Sequence, residues 1–176
     1  MISFFCAGIP RPGGSKRASA IYRKGPNGPV PVTVNGRVLV NVREDCQKTR
    51  DWRAVVADCG RQAMEAAGRL GPFSCPLRVD VVFHLLRPKW HFGSGKNAGQ
   101  VRASAPAHPA VRPDLTKAWR STEDSLNGIC WTDDALIVEQ YVRKVYSDRS
   151  GAEIKITVLE PVKAVAIVRR DFAIEG

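Results

Sequence analysis

The sequence predicts an α/β (α+β) fold: a single domain with a mixed β-sheet, two main helices and one long basic loop. Three observations lead there. Leu77 to Leu85 alternates apolar residues with others, which is the period of a half-buried strand. Two segments, Asp45 to about Ala67 and about Thr116 to Asn127, space their apolar residues as helices do. A chain of 176 residues, 44% of them apolar, also suffices for one domain with a real core. The domain is expected over residues 1–160, with 161–176 as a C-terminal tail.

Taken in order, Ile2 to Ala7 is a short apolar run and a strand candidate. Gly8 to Gly14 is dense in Gly and Pro and reads as loop. Lys16, Arg17, Arg23 and Lys24 follow in the same loop-rich region, where flexible cations could grip phosphates. Val30–Val34 and Val38–Val40 flank Asn35-Gly36, the strongest short hairpin signal, and Pro29 and Pro31 mark the first strand as an edge. Asp45 is a candidate cap for the first helix, whose face would carry Trp52, Val55, Val56, Cys59 and Ala63. Trp52 is read as a packing residue.

Leu77–Leu85 is the clearest strand. Arg87 to Pro109 then lacks hydrophobic periodicity and interleaves Arg87, Lys89, Lys96 and Arg102 with Trp90, His91 and Phe92. A long aperiodic stretch with basic and aromatic residues suits a flap that holds unstacked or junction DNA. His91 and His108 stand at no spacing that marks a ligand pair or a base. Ala135–Tyr146 and Ala152–Leu159 read as two strands joined by a turn at Asp148–Gly151.

Charge narrows the function. With 27 Lys and Arg against 17 Asp and Glu, the net charge is +10. Such a chain suits a polyanionic partner, nucleic acid ahead of an acidic membrane. No apolar run reaches membrane-spanning length, and the N-terminus lacks the basic start of a signal peptide. The five cysteines include no C-x-x-C, so neither a disulfide framework nor a zinc site is indicated. Reduced thiols and a cytoplasmic location are expected.

The scarce acids concentrate: Asp114, Glu123, Asp124, Asp133 and Asp134 fall in one segment. Acids that approach one another need a cation between them, and oxygen donors suit a hard divalent ion. Pro113 disfavours helix at Arg112. An extended Asp114–Thr116 would point both side chains the same way. In the helix after it, Lys117, Arg120, Ser121 and Asp124 share one face, and Ala118, Trp119, Thr122 and Leu126 another. The plain alternatives are an N-cap at Asp114 and turn residues at Asp133-Asp134.

The run Arg112-Pro113-Asp114…Lys117, then Glu123-Asp124…Leu126-Asn127-Gly128, then Trp131…Asp133-Asp134-Ala135…Ile137-Val138 resembles the core of the RusA-type Holliday-junction resolvases. In particular it resembles the variants carried by phages and prophages of high-GC bacteria. Gly8-Ile9-Pro10-Arg11-Pro12-Gly13-Gly14-Ser15-Lys16 is similar to the family's G-x-P-x-P-x-x-S-K. Trp52-Arg53 resembles the start of its first long helix, Arg87-Pro88-Lys89 with His91 its R-P-K-x-H, and Val142-Arg143-Lys144 its last strands. The likeness runs from about Phe4 to about Val158.

The resemblance implies a homodimeric, Mg²⁺- or Mn²⁺-dependent endodeoxyribonuclease that resolves branched DNA at four-way junctions. It implies metal ligation by Asp114 and Asp134, with Asp133 next. Thr116 stands where the family often has a second Asp. Arg120 takes the place of a catalytic Lys, and Lys117 that of an Asn. Lys16, Arg17, Arg87, Lys89, Lys96, Arg102 and Arg112 are the expected DNA contacts. Two rival classes are a non-catalytic junction binder with a decayed metal site and a nuclease that prefers flaps or single strands.

Overall fold

The computed structural model describes residues 1–13, 16–44 and 46–160. The expected tail at 161–176 lies outside them, as does Asp45. Strand β1 spans Ile2–Ala7. Six short strands follow: β2 (Lys16–Ala20), β3 (Tyr22–Gly25), β4 (Gly28–Pro31), β5 (Thr33–Val34), β6 (Arg37–Val38) and β7 (Val40–Glu44). Helix α1 (Gln47–Ala66), strand β8 (Leu77–Leu86), helix α2 (Leu115–Leu126) and strands β9 (Ile137–Ser147) and β10 (Gly151–Val158) complete the chain.

The main sheet has four strands in the order β1-β10-β8-β9. β10 lies antiparallel to β1 and β8, and β8 lies parallel to β9, so the sheet is mixed as expected. Alternation writes the core: Leu77, Val79, Val81, Phe83 and Leu85 of β8 are buried, with Ala152, Ile154 and Ile156 of β10. Helices α1 and α2 bring Trp52, Val56, Met64, Ala118, Trp119 and Leu126 to the same cluster. The helices meet closely where Gly60 faces Leu126; a Cβ there would stand 2.6 Å from Leu126 Cδ2. Trp52 packs as expected and donates from Nε1 to Thr122 Oγ1 at 3.3 Å. The α1 N-cap position belongs to Cys46, which makes no side-chain capping bond.

Residues 16–44 differ from expectation. The region read as flexible basic loop is a branched β-arm. β2 pairs with β7 as a stem, and the hairpins β3–β4 and β5–β6 diverge from its end. Three backbone bonds close the branch point: Ile21 N–H to Leu39 (2.9 Å), Val32 to Ile21 (2.8 Å) and Leu39 to Val32 (2.8 Å). Asn35 (φ 50°) and Gly36 (φ 75°) make the anticipated two-residue turn, both in the left-handed region. The hairpin is shorter than the sequence suggested, because Val30 and Pro31 pair with β3 instead.

The 87–109 segment is ordered rather than structureless. It holds two single 3₁₀ turns, Lys89–His91 and Gly95–Asn97, and bridges Phe92 to Val101. Arg102 Nε donates to the Phe92 carbonyl at 2.7 Å, and Arg87 Nη1 to that of Pro106 at 3.0 Å. His91 is buried against Tyr146, ring centroids 5.2 Å apart.

Candidate active site

Two parallel strands need a long crossover. Here that crossover is the whole of residues 87–136, including α2. It aligns the C-terminal ends of β8 and β9 on one edge, with Leu85 opposite Tyr146 and Leu86 opposite Ser147. Carboxyl ends of parallel strands are where sites form in such sheets.

Asp114 lies at this edge, at the N-cap position of α2, but its side chain makes no capping bond. Its carboxylate pairs with Lys117 Nζ at 3.0 Å. The hydrogen bond and charge of Lys117, then the charges of Arg112 and Lys144, hold the Asp114 carboxyl below its ordinary pKa. The peptide Arg112–Pro113 is cis. Lys144 reaches across from β9 and donates to the carbonyls of Val111 and Pro113, the latter at 3.0 Å. Sequence reasoning gave Lys144 no site role. Its signal was the β9 alternation, which sets it on one face with Val142 and Tyr146. The loop 8–13 closes the same edge: Gly13 N–H donates to the Lys117 carbonyl at 2.9 Å, and Thr49 Oγ1 to that of Pro12 at 3.2 Å.

The extended Asp114–Thr116 that would align both side chains is not formed, and the helix starts one residue before the expected Thr116. α2 begins at Leu115, so Thr116 sits in its first turn and does not share a direction with Asp114 by alternation. Proline's bias acts on Arg112 alone. From Leu115 onward, burial of Ala118, Trp119 and Leu126 favours helix.

At the other end of α2, Asp134 Oδ1 accepts from Trp131 Nε1 at 2.8 Å. Asp133 caps the 3₁₀ turn Asp134–Leu136, accepting from Ala135 N–H at 2.8 Å. Glu123 is half-buried, and its pKa is raised by burial first, then by Asp134 and Asp124, against the pull of Arg120. Asp124 pairs with Arg53 at 2.8 Å.

Glu123 stands nine positions after Asp114, roughly 13 Å along a helix that rises about 1.5 Å per residue. The acids thus form two groups joined by α2. Asp114 with Lys117 and Lys144 is at its start; Glu123 with Asp134 is at its end. Exposed Thr116 and Arg120 lie between, at helical spacing with Glu123. Among the described residues, no three His, Cys, Asp or Glu side chains gather to hold a metal ion. The donor set still fits a hard cation. Asp114 with Thr116 at one end of α2, and Glu123 with Asp134 at the other, offer oxygens alone, and a cation at the second pair would relieve its repulsion.

Of the expected DNA contacts, Lys89, Lys96, Arg102 and Arg112 are exposed. Arg87 is partly withdrawn, with its guanidinium 4.5 Å from the Tyr146 ring centroid. Lys16 and Arg17 belong to β2, but their side chains are outside the described part. No helix is long and apolar enough to cross a membrane among the described residues.

A basic α+β domain with carboxylates and cations spread along one helix suits the handling of phosphodiesters. The family model of endodeoxyribonuclease RusA matches residues 29–157, and the chain belongs to that family. The matched stretch takes in α1, α2, β8, β9 and nearly all of β10, and leaves out the Gly- and Pro-rich loop 8–13. No curated protein matches the chain.

Proposed function

We propose that this chain is a Mg²⁺- or Mn²⁺-dependent resolvase of four-way DNA junctions, acting as a homodimer in a bacterial cytoplasm. The carrying observation is the family match over residues 29–157, which contains both carboxylate groups of α2. Asp114, with the Thr116 hydroxyl, would hold a cation at the start of α2, and Asp134 with Glu123 would hold one at its end. Bound there, a cation would supply charge stabilisation and an activated water. Arg120 and Lys117 orient the scissile phosphate, Arg120 by a bidentate grip that a lysine could not reproduce. Arg120 stays charged near neutral pH, so it stabilises the transition state without acting as an acid. A two-fold dimer supports two symmetric cuts, one per site.

The test compares cleavage of a four-way junction, a flap and a linear duplex of one sequence, with Mg²⁺, with Mn²⁺ and with chelator. Metal-dependent paired nicking of the junction, well above the other two, is expected. Preference for the flap would favour the other nuclease class. Tight junction binding without cleavage under any metal would favour a binding protein.

A further inference from the structure

Beside Asp114 the loop 8–13, the end of β8 and the run into α2 line an open cleft of about 720 Å³. This is within the roughly 300–1,000 Å³ of pockets that bury drug-sized ligands. Its character is mixed in an informative way. Ile9, Leu86 and Val111 line it and remain 56%, 57% and 52% exposed. Three large apolar side chains left open around one mouth mark a contact surface rather than a core. Tyr146 supplies the aromatic wall, with Arg87 over its ring. Arg11, Arg112 and Lys117 line the same cleft. The occupant must therefore be flat or apolar in body and anionic at its edge, and must lie beside the Asp114 carboxylate.

Building on the junction-nuclease reading above, we propose that this cleft receives one unstacked nucleobase of the strand being cut, next to the scissile phosphate. A base has the apolar face, and its flanking phosphates have the charge. Bases at a junction branch point cost least to extrude, because their stacking is already interrupted. Lys144 already engages the Val111 and Pro113 carbonyls. Those bonds fix the Val111–Pro113 wall, against which a base is held by stacking and shape. The pocket couples cleavage to branching: a continuous duplex offers no free base, so its phosphate is not seated at Asp114.

The experiment scans single abasic sites along the strands of a four-way junction and measures binding in chelator, so that it needs no cleavage. One position flanking the cut should lose affinity on the order of 5- to 150-fold, the range of one base–aromatic contact. Val111→Trp and Leu86→Trp fill the mouth at exposed positions and spare the core. Each should weaken binding to the intact junction and abolish the abasic penalty. A flat abasic scan, or a penalty that survives both variants, would overturn the pocket. So would a change of oligomeric state in Val111→Trp with the penalty intact, since that would make the mouth a contact between copies. If wild type shows the penalty but cuts nothing with metal, the pocket stands and the nuclease reading fails.

Discussion

Asp133 and Asp134 are adjacent acids with different duties. The Asp133 carboxylate is spent on the Ala135 N–H, while Asp134 accepts from Trp131 and acts electrostatically on Glu123. Asp114 is held ionised by Lys117. Asp114→Asn and Asp134→Asn should therefore reduce junction cleavage by more than about 100-fold, beyond the 10–100-fold typical of outer partners of a metal site. Junction affinity should hold or rise, since a negative charge near phosphate is removed. Asp133→Asn should cut at near wild-type rate, because Asn caps as well as Asp. Single-turnover cleavage and binding measured on the three variants decide this. Equal loss in all three would make the pair a unit and sink the division of labour.

The elements explain what could be read in advance. β8 and both helices were legible because each buries one face, which imprints a period on the sequence. Most of the β-arm was not, because many of its described side chains are exposed; Tyr22, Val30, Val34, Val38 and Val40 all face solvent. The hairpin around Asn35-Gly36 showed there, since its turn signal is backbone geometry and not burial. Likewise the 87–109 segment owes its order mainly to local backbone bonds, such as Gly93 N–H to Gln100 and Arg102 N–H to His91, with side-chain bonds from Arg87 and Arg102 added, and these leave no periodic trace. The pairing of Glu123 with Asp134 was missed because it depends on how the turn after α2 packs. His91 anchors the 87–109 segment and yields a pH prediction. Arg87 Nη1 lies 3.4 Å from His91 Nδ1. An arginine can only donate, so Nδ1 accepts and Nε2 carries the proton. Burial first, then the Arg87 charge, lowers the His91 pKa. Below the unfolded value of about 6.5, the unfolded chain binds a proton that the folded one refuses, so stability falls as pH drops. His91→Phe removes that titration. The melting temperature of wild type minus that of His91→Phe should fall between pH 7.5 and pH 5. A constant difference would mean that His91 charges as readily folded as unfolded.

At the scale of the whole molecule, a charge of +10 surrounds a site built from carboxylates. On the proposed reading, the excess holds arms of DNA away from the scissile phosphate, where it would otherwise compete with the proposed cation. Lys89, Lys96 and Arg102 project from the 87–109 segment, which is rooted at the same sheet edge as Asp114. Phosphate contacts position without reading sequence. Each contact releases counterions and contributes about 0.9 to the slope of log affinity against log salt. Replacing all three with Ala should lower that slope by about 2.7, three contacts' worth. Binding should weaken by a similar factor for junctions of any sequence, and the gap to wild type should close as salt rises. Cleavage at saturating DNA should change less than affinity, because these side chains hold the arms and not the reacting phosphate. A salt titration in an Asp114→Asn background isolates binding from chemistry. An unchanged slope would move the DNA surface to the β-arm, where Arg23, Lys24 and Arg37 form the next exposed set of cations.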